Sequence, residues 1–121
     1  VINLKRAYEK PSIEDGIRIL VDRIWPRGIS KQDLQIDKWW KEVAPTTELR
    51  KWFQHDPGKF TEFKVKYMEE LKSEGTQKAS LKELKKFVKE QKSRPITFIY
   101  AVKNQEYNHA IILKEIVEME D

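Results

Sequence analysis

The sequence predicts an α/β domain built on a parallel sheet, and three observations carry that prediction. Two unbroken apolar runs, Ile19-Leu20-Val21 inside RILVDRIW and ITFIYAV at 96–102, suit strands covered on both faces. Between them lie segments with helical periodicity, as a crossover between parallel strands requires. Proline and glycine punctuate both runs: Pro26 and Gly28 close the first and Pro95 opens the second.

An opening strand near residues 2–8 follows from the alternation of Ile2, Leu4 and Arg6 with Asn3, Lys5 and Ala7. Pro11 and Gly16 bound a short connection to the second strand, near 18–24. Residues 36–43, IDKWWKEV, fit two structures. Ile36, Trp39, Trp40 and Val43 have helical spacing, while paired tryptophans just before Ala44-Pro45 also suit a strand. A short helix is expected from Thr46 through Phe53. Asp56 then caps a helix with Pro57 at its first position, and Phe60, Phe63, Tyr67 and Leu71 keep helical spacing until Gly75. Ser80-x-x-Glu83 has the form of a capping box ahead of the stripe Leu81, Leu84, Phe87 and Val88. After the strand near 96–102, parallel and adjacent to the second, Asn108 caps a last helix that turns Ile112, Ile116 and Met119 inward. The acidic residues Glu115, Glu118, Glu120 and Asp121 read as a solvated face and a frayed tail.

The 121 residues contain no cysteine, which removes disulfides, thiolate–metal sites and cysteine nucleophiles together. His55 and His109 are far apart, so neither a metal site nor a cofactor is expected. No GxGxxG, P-loop, HExxH, GxSxG or EF-hand pattern occurs. With 39% hydrophobic and 36% charged residues the composition is that of a globular domain, read as a single domain over 1–121. No apolar run nears the roughly 20 residues of a membrane span and no signal-like segment opens the chain. A soluble, cytoplasmic protein without a membrane partner is therefore expected.

Ligands of open α/β sheets bind beyond the carboxyl ends of the strands. Behind Ile19-Leu20-Val21 stand Asp22, Arg23, Trp25 and Arg27; behind the last strand stand Lys103, Asn108 and His109. If the two strands are parallel neighbours, both groups meet at one rim. Arg23, Arg27 and Lys103 are the candidate holders of an anion there, because a guanidinium fork matches phosphate or carboxylate oxygens and the helix start at Asn108 adds positive potential. Trp25 offers a face for a base or another flat group. Asp22 and His109 form the candidate catalytic pair, since imidazole exchanges protons near neutrality and a nearby carboxylate favours its charged form. The plain structural alternatives are an Asp22 that pairs with Arg23 or Arg27, tryptophans that fill the core, and a His109 bonded to backbone. His55, beside Asp56-Pro57, reads as a turn residue.

LKRAY at 4–8, LVDRIWPRG at 20–28, APTTELRKWFQHDP at 44–57 and YAVKNQEYNHAIIL at 100–113 together resemble the YeaO-like proteins. These are a branch of the superfamily called domain of unknown function 488, and the resemblance spans nearly the whole chain. It implies a small Rossmann-like α/β domain and makes 36–43 a strand, giving a mainly parallel sheet of about four strands flanked by helices. In the broader superfamily, a strand ending in Asp-Arg and a later one followed by Cys and His-Arg look like the rims of a shared pocket. Asp22-Arg23 matches the first feature and His109 the second, while the cysteines are absent and Ala110 follows the histidine. That departure argues against carrying the thiol or metal chemistry of distant relatives over to this chain.

Three functions follow, in descending order. The first is a pocket for a small anionic ligand, phosphorylated or nucleotide-like, with acid/base catalysis as its enzymatic form. The second is a nucleic-acid-binding module. The stretch Lys78 to Lys92 holds six lysines against Glu83 and Glu90, leaving +4, which equals the net charge of the whole chain. Lys82, Lys85, Lys86 and Lys89 would supply phosphate contacts beside exposed aromatics. The third is a protein-interaction domain that docks through Trp39, Trp40 and Trp52.

Overall fold

A computed structural model describes residues 1–119. Its strands β1 (Ile2–Arg6), β2 (Ile17–Leu20), β3 (Lys38–Trp39) and β4 (Ile96–Tyr100) form one parallel sheet in the order β1-β4-β2-β3. The two apolar runs are its central strands, paired Ile17 to Ile96 through Leu20 to Ile99, and every residue of both is buried. An α/β architecture with a four-stranded parallel sheet is thus the structure of this chain.

Alternation along the strands divides the interior in two. Ile17, Ile19, Ile96 and Phe98 pack into the larger core, with α2 (Thr47–Phe53), α3 (Phe60–Lys72), α4 (Thr76–Glu90) and α5 (His109–Glu118). Leu20 and Ile99 face the other way, toward Leu34 of α1 (Lys31–Leu34) and the indole of Trp25.

The strands stop earlier than their apolar runs because side chains take over the ladder. Val21 N–H still reaches the Ile99 carbonyl at 3.0 Å, but the next donor, Ala101 N–H, is taken by the Asp22 carboxylate at 2.9 Å. The carbonyls of Ala101 and Val102 likewise accept from the Arg6 guanidinium, at 3.0 and 2.9 Å. Hence β2 ends at Leu20 rather than near 24, and β1 and β4 end at Arg6 and Tyr100.

Residues 36–43 combine both of their readings in miniature. Lys38–Trp39 is a two-residue edge strand, and Lys41–Val43 is a 3-10 turn. Thr46 caps α2 through Leu49 N–H at 3.2 Å, as its position suggests. Asp56 accepts from Gly58 N–H at 2.9 Å, but Pro57–Lys59 is a separate 3-10 turn and α3 begins at Phe60. Ser80 and Glu83 form no capping box, because α4 starts a turn earlier, behind Gly75, and places both in its interior. Leu81 and Leu84 are buried as the stripe demands. Asn108 caps α5 through Ile111 N–H at 3.0 Å. Ile112 and Ile116 of α5 point inward, whereas Met119 is 60% exposed. The acidic face is partly engaged: Glu115 meets Lys64 at 2.9 Å, and Glu118 accepts from Ile2 N–H at 2.7 Å. Glu120 and Asp121 lie outside the described residues. Among the described residues, no helix is long and apolar enough to cross a membrane.

Candidate functional site

A cavity of about 300 Å³ opens at the carboxyl ends of β2 and β4. Six segments contribute to its lining: the loop after β2, the loop after β4 with the start of α5, the segment Ala44-Pro45, the end of α2 continuing to His55, Phe63 of α3, and Tyr8 just after β1. Asp22, Arg23, Trp25, Arg27, Asn108 and His109 all line it. Parallel pairing of β2 with β4 is what brings the two sequence clusters to one rim.

Asp22 and His109 meet there. One Asp22 oxygen, Oδ2, accepts from Ala101 N–H, while Oδ1 lies 3.3 Å from His109 Nε2 and is buried with no other partner. His109 Nε2 also lies 3.0 Å from the Val21 carbonyl. A carbonyl only accepts, so this bond requires a proton on Nε2, and Nδ1 has no hydrogen-bond partner among the described residues. The pair therefore ties the ends of β2 and β4 to the first residue of α5 as well as facing the cavity. Asp22→Ala is expected to cost about 1–3 kcal/mol in chemical unfolding, because Ala101 N–H loses its acceptor. Asp22→Asn keeps an oxygen for that bond and should lose clearly less; equal losses would show that the carboxylate charge, not the backbone bond, carries the stability.

The remaining predicted residues divide by whether their donors are already used. Arg23 gives Nε to the Pro45 carbonyl at 3.1 Å and Nη2 to that of Ala44 at 2.8 Å, with Glu42 3.7 Å from Nη1. It fastens the 44–45 segment to the loop after β2 and is not a free anion holder. Trp25 donates Nε1 to the Ile29 carbonyl at 2.7 Å and stands edge-on to Trp39 at 5.4 Å, so the indole braces its own loop. Asn108 is buried, and Nδ2 donates to the Asn104 carbonyl at 2.8 Å while Oδ1 serves as the cap. Lys103 does not line the cavity. The chain turns at Asn104, whose Oδ1 accepts from Glu106 and Tyr107 N–H, so Val102 lines the cavity and Lys103 is left exposed.

Arg27 behaves differently. Its backbone is fixed, since Tyr8 OH donates to its carbonyl at 2.9 Å, but its guanidinium has no partner among the described residues. The same holds for Arg50, in the last turn of α2, which no motif or strand end marks in the sequence. His55 is a turn residue, as its place beside Asp56-Pro57 predicts: Gln54 and His55 both adopt left-handed backbone, at φ 50° and 57°. That turn also puts the imidazole on the cavity wall, edge-on to Phe53. The lining thus carries three guanidinium groups against the one carboxylate of Asp22, with His55 and His109 beside them. At the apolar end Phe53 and Phe63 stack at 4.1 Å. Tyr67, edge-on to His109, donates to the Val43 carbonyl, and burial pushes its phenol well above its ordinary value, so it stays protonated.

The other candidate surfaces lie elsewhere. Lys82, Lys86 and Lys89 are exposed on α4, while Lys78 is paired with Glu74 at 2.6 Å. The three tryptophans have separate partners. Trp40 packs against Phe87 and donates to the Ser80 carbonyl, Trp52 lies beneath Lys59 and Lys66, and Trp39 donates to the Asp22 carbonyl.

Comparison with known proteins finds relatives along nearly the whole chain. The chain is 41% identical over 114 residues to the uncharacterized protein YeaO of Escherichia coli, covering 94% of each chain. It is 40% identical over 116 residues to the uncharacterized protein Mb3100c of Mycobacterium bovis, covering 96% of this chain and 92% of that one. No solved structure matches. The profile of one family matches residues 1–120, and the chain belongs to that YeaO-like family, described as the inactive DUF488-N3 subclade.

Proposed function

We propose that the cavity binds a small ligand through an oxyanion, phosphate or carboxylate, as a phosphorylated or nucleotide-like molecule would present. One observation carries this reading: Arg27 and Arg50 line the same cavity and neither guanidinium has a partner among the described residues. Guanidinium forks without protein acceptors in a concave, cation-rich site are suited to planar oxyanions. The amino end of α5 adds potential of the same sign. In this reading Asp22 and the Val21 carbonyl hold Nε2 of His109 and fix the ring in the cavity lining beside the ligand. The word inactive in the family's description accords with capture of a ligand without turnover.

Titration with inorganic phosphate at constant ionic strength, followed by NMR, tests the reading. Saturable shifts are expected at Arg27, Arg50 and the start of α5. Arg27→Ala and Arg50→Ala should each weaken binding about tenfold or more, the ~1.5–3 kcal/mol of a charge-assisted hydrogen bond. Melting should change little, within about 0.5 kcal/mol, as for exposed residues without partners. Binding that survives both substitutions would sink the proposal. The exposed lysines of α4 support a second reading, non-specific nucleic-acid binding. That mode would weaken steeply with salt and would not depend on Arg27 or Arg50.

A further inference from the structure

We infer that the oxyanion is carried by an apolar, ring-sized body, so that the ligand is an aryl phosphate or aryl carboxylate rather than a bare ion; this rests on the anion reading above. The first argument is room. At roughly 30 Å³ for each water-sized atom, a cavity of about 300 Å³ takes on the order of ten non-hydrogen atoms, well beyond a phosphate or carboxylate group. The second is the apolar share of the lining. Phe53, Phe63 and Val102 belong to the same lining, and their side chains offer nothing to an oxyanion. The third is the mouth. Ile24 and Tyr8, 60% and 47% exposed, stand at its edge. Large apolar side chains left in water beside a cavity gain free energy when an apolar group covers them. Cationic and apolar side chains lining one space thus select a molecule with both characters, and the aromatic rings among them favour a ring in the ligand.

The test compares phenyl phosphate, benzoate, inorganic phosphate and acetate on the full chain by NMR or calorimetry. Phenyl phosphate should bind at least tenfold more tightly than phosphate, or benzoate at least tenfold more tightly than acetate. The tighter aryl ligand identifies the head group. Ile24→Ser should reduce that advantage while leaving phosphate affinity unchanged, and Arg27→Ala should weaken every anion that binds. If phenyl phosphate matches phosphate, benzoate matches acetate, and all depend on Arg27, the inference is overturned and the anion reading stands. Aryl ligands that bind without regard to Arg27 and Arg50 would overturn the inference, and inorganic phosphate that binds without regard to both would overturn the anion reading with it.

Discussion

Arg18→Met is expected to lower the unfolding free energy by about 3–5 kcal/mol at neutral pH, the loss typical of breaking a buried ion pair from one side. Arg18 is 4% exposed on β2, where residues of its parity face the smaller interior. Its Nη1 meets Asp15 at 2.6 Å, and its other donors reach the carbonyls of Leu34 at 2.8 Å and Gln35 at 3.2 Å. One side chain thus joins β2 to the turn before it and to the end of α1. Lys5 also reaches Asp15, with Nζ 3.1 Å from both oxygens, so the carboxylate keeps one cation when Arg18 is removed. The two carbonyls keep none of these bonds.

Acid titration adds an independent readout. Burial pushes the Asp15 carboxyl up, but Ser12 N–H, Lys5 and Arg18 outweigh it and hold the group below its ordinary value of 3.8. A folded-state pKa below the unfolded one gives stability that is present above about pH 4 and lost as pH falls through the folded value. Without Arg18 the depression shrinks, so the stability gap between wild type and Arg18→Met should narrow on acidification. Urea unfolding at a series of pH values measures both effects. A loss under about 1 kcal/mol at pH 7 would show that Lys5 and Ser12 suffice to hold Asp15.

Gly16→Ala should cost about 3 kcal/mol or more, and Gly28→Ala clearly less. Gly16 enters β2 at φ 66° and ψ −126°, a conformation open essentially to glycine alone. An added Cβ would lie 2.1 Å from the Pro95 carbonyl oxygen and 2.8 Å from its carbon. That carbonyl is backbone at the entry to β4 and accepts from Ile17 N–H at 2.9 Å, so no side-chain rotation relieves the clash. The starts of the two central strands must separate. Strain of this kind costs of order 1–3 kcal/mol before the clash is counted. Gly28 also has positive φ, at 79°, but a Cβ there meets nothing within 4 Å. Its substitution carries only the conformational cost of about 1–2 kcal/mol. Thermal unfolding of the two variants separates the contributions; equal losses would mean that backbone conformation alone matters at Gly16.

What was legible in the sequence was local. Apolar runs marked β2 and β4 because strands covered on both faces need every residue apolar or paired. Thr46 and Asn108 marked helix starts because a cap acts within three residues of itself. Asp22 and His109 were placed together by one topological rule about strand ends, and the structure sets them 3.3 Å apart. Ser80 misled because a capping pattern inside a helix looks the same as one at its start.

The tertiary structure decided which charges are used and which are free. Arg23 and Arg27 look alike in WPRG and its preceding DRI, yet Arg23 is spent on Ala44 and Pro45 while Arg27 finds no partner among the described residues. Those carbonyls lie more than twenty residues along the chain, and no periodicity encodes a contact at that distance. Nothing in the sequence marks Arg50 as a site residue or His55 as more than a turn residue, since α2 adjoins neither central strand in sequence and reaches the cavity only by packing. Lys103 was lost to a turn at Asn104 that a reading of strand ends did not anticipate. Periodicity and capping report interactions within a few residues and so determine elements. A binding site depends on which long-range acceptors a guanidinium meets, and only the packed chain settles that.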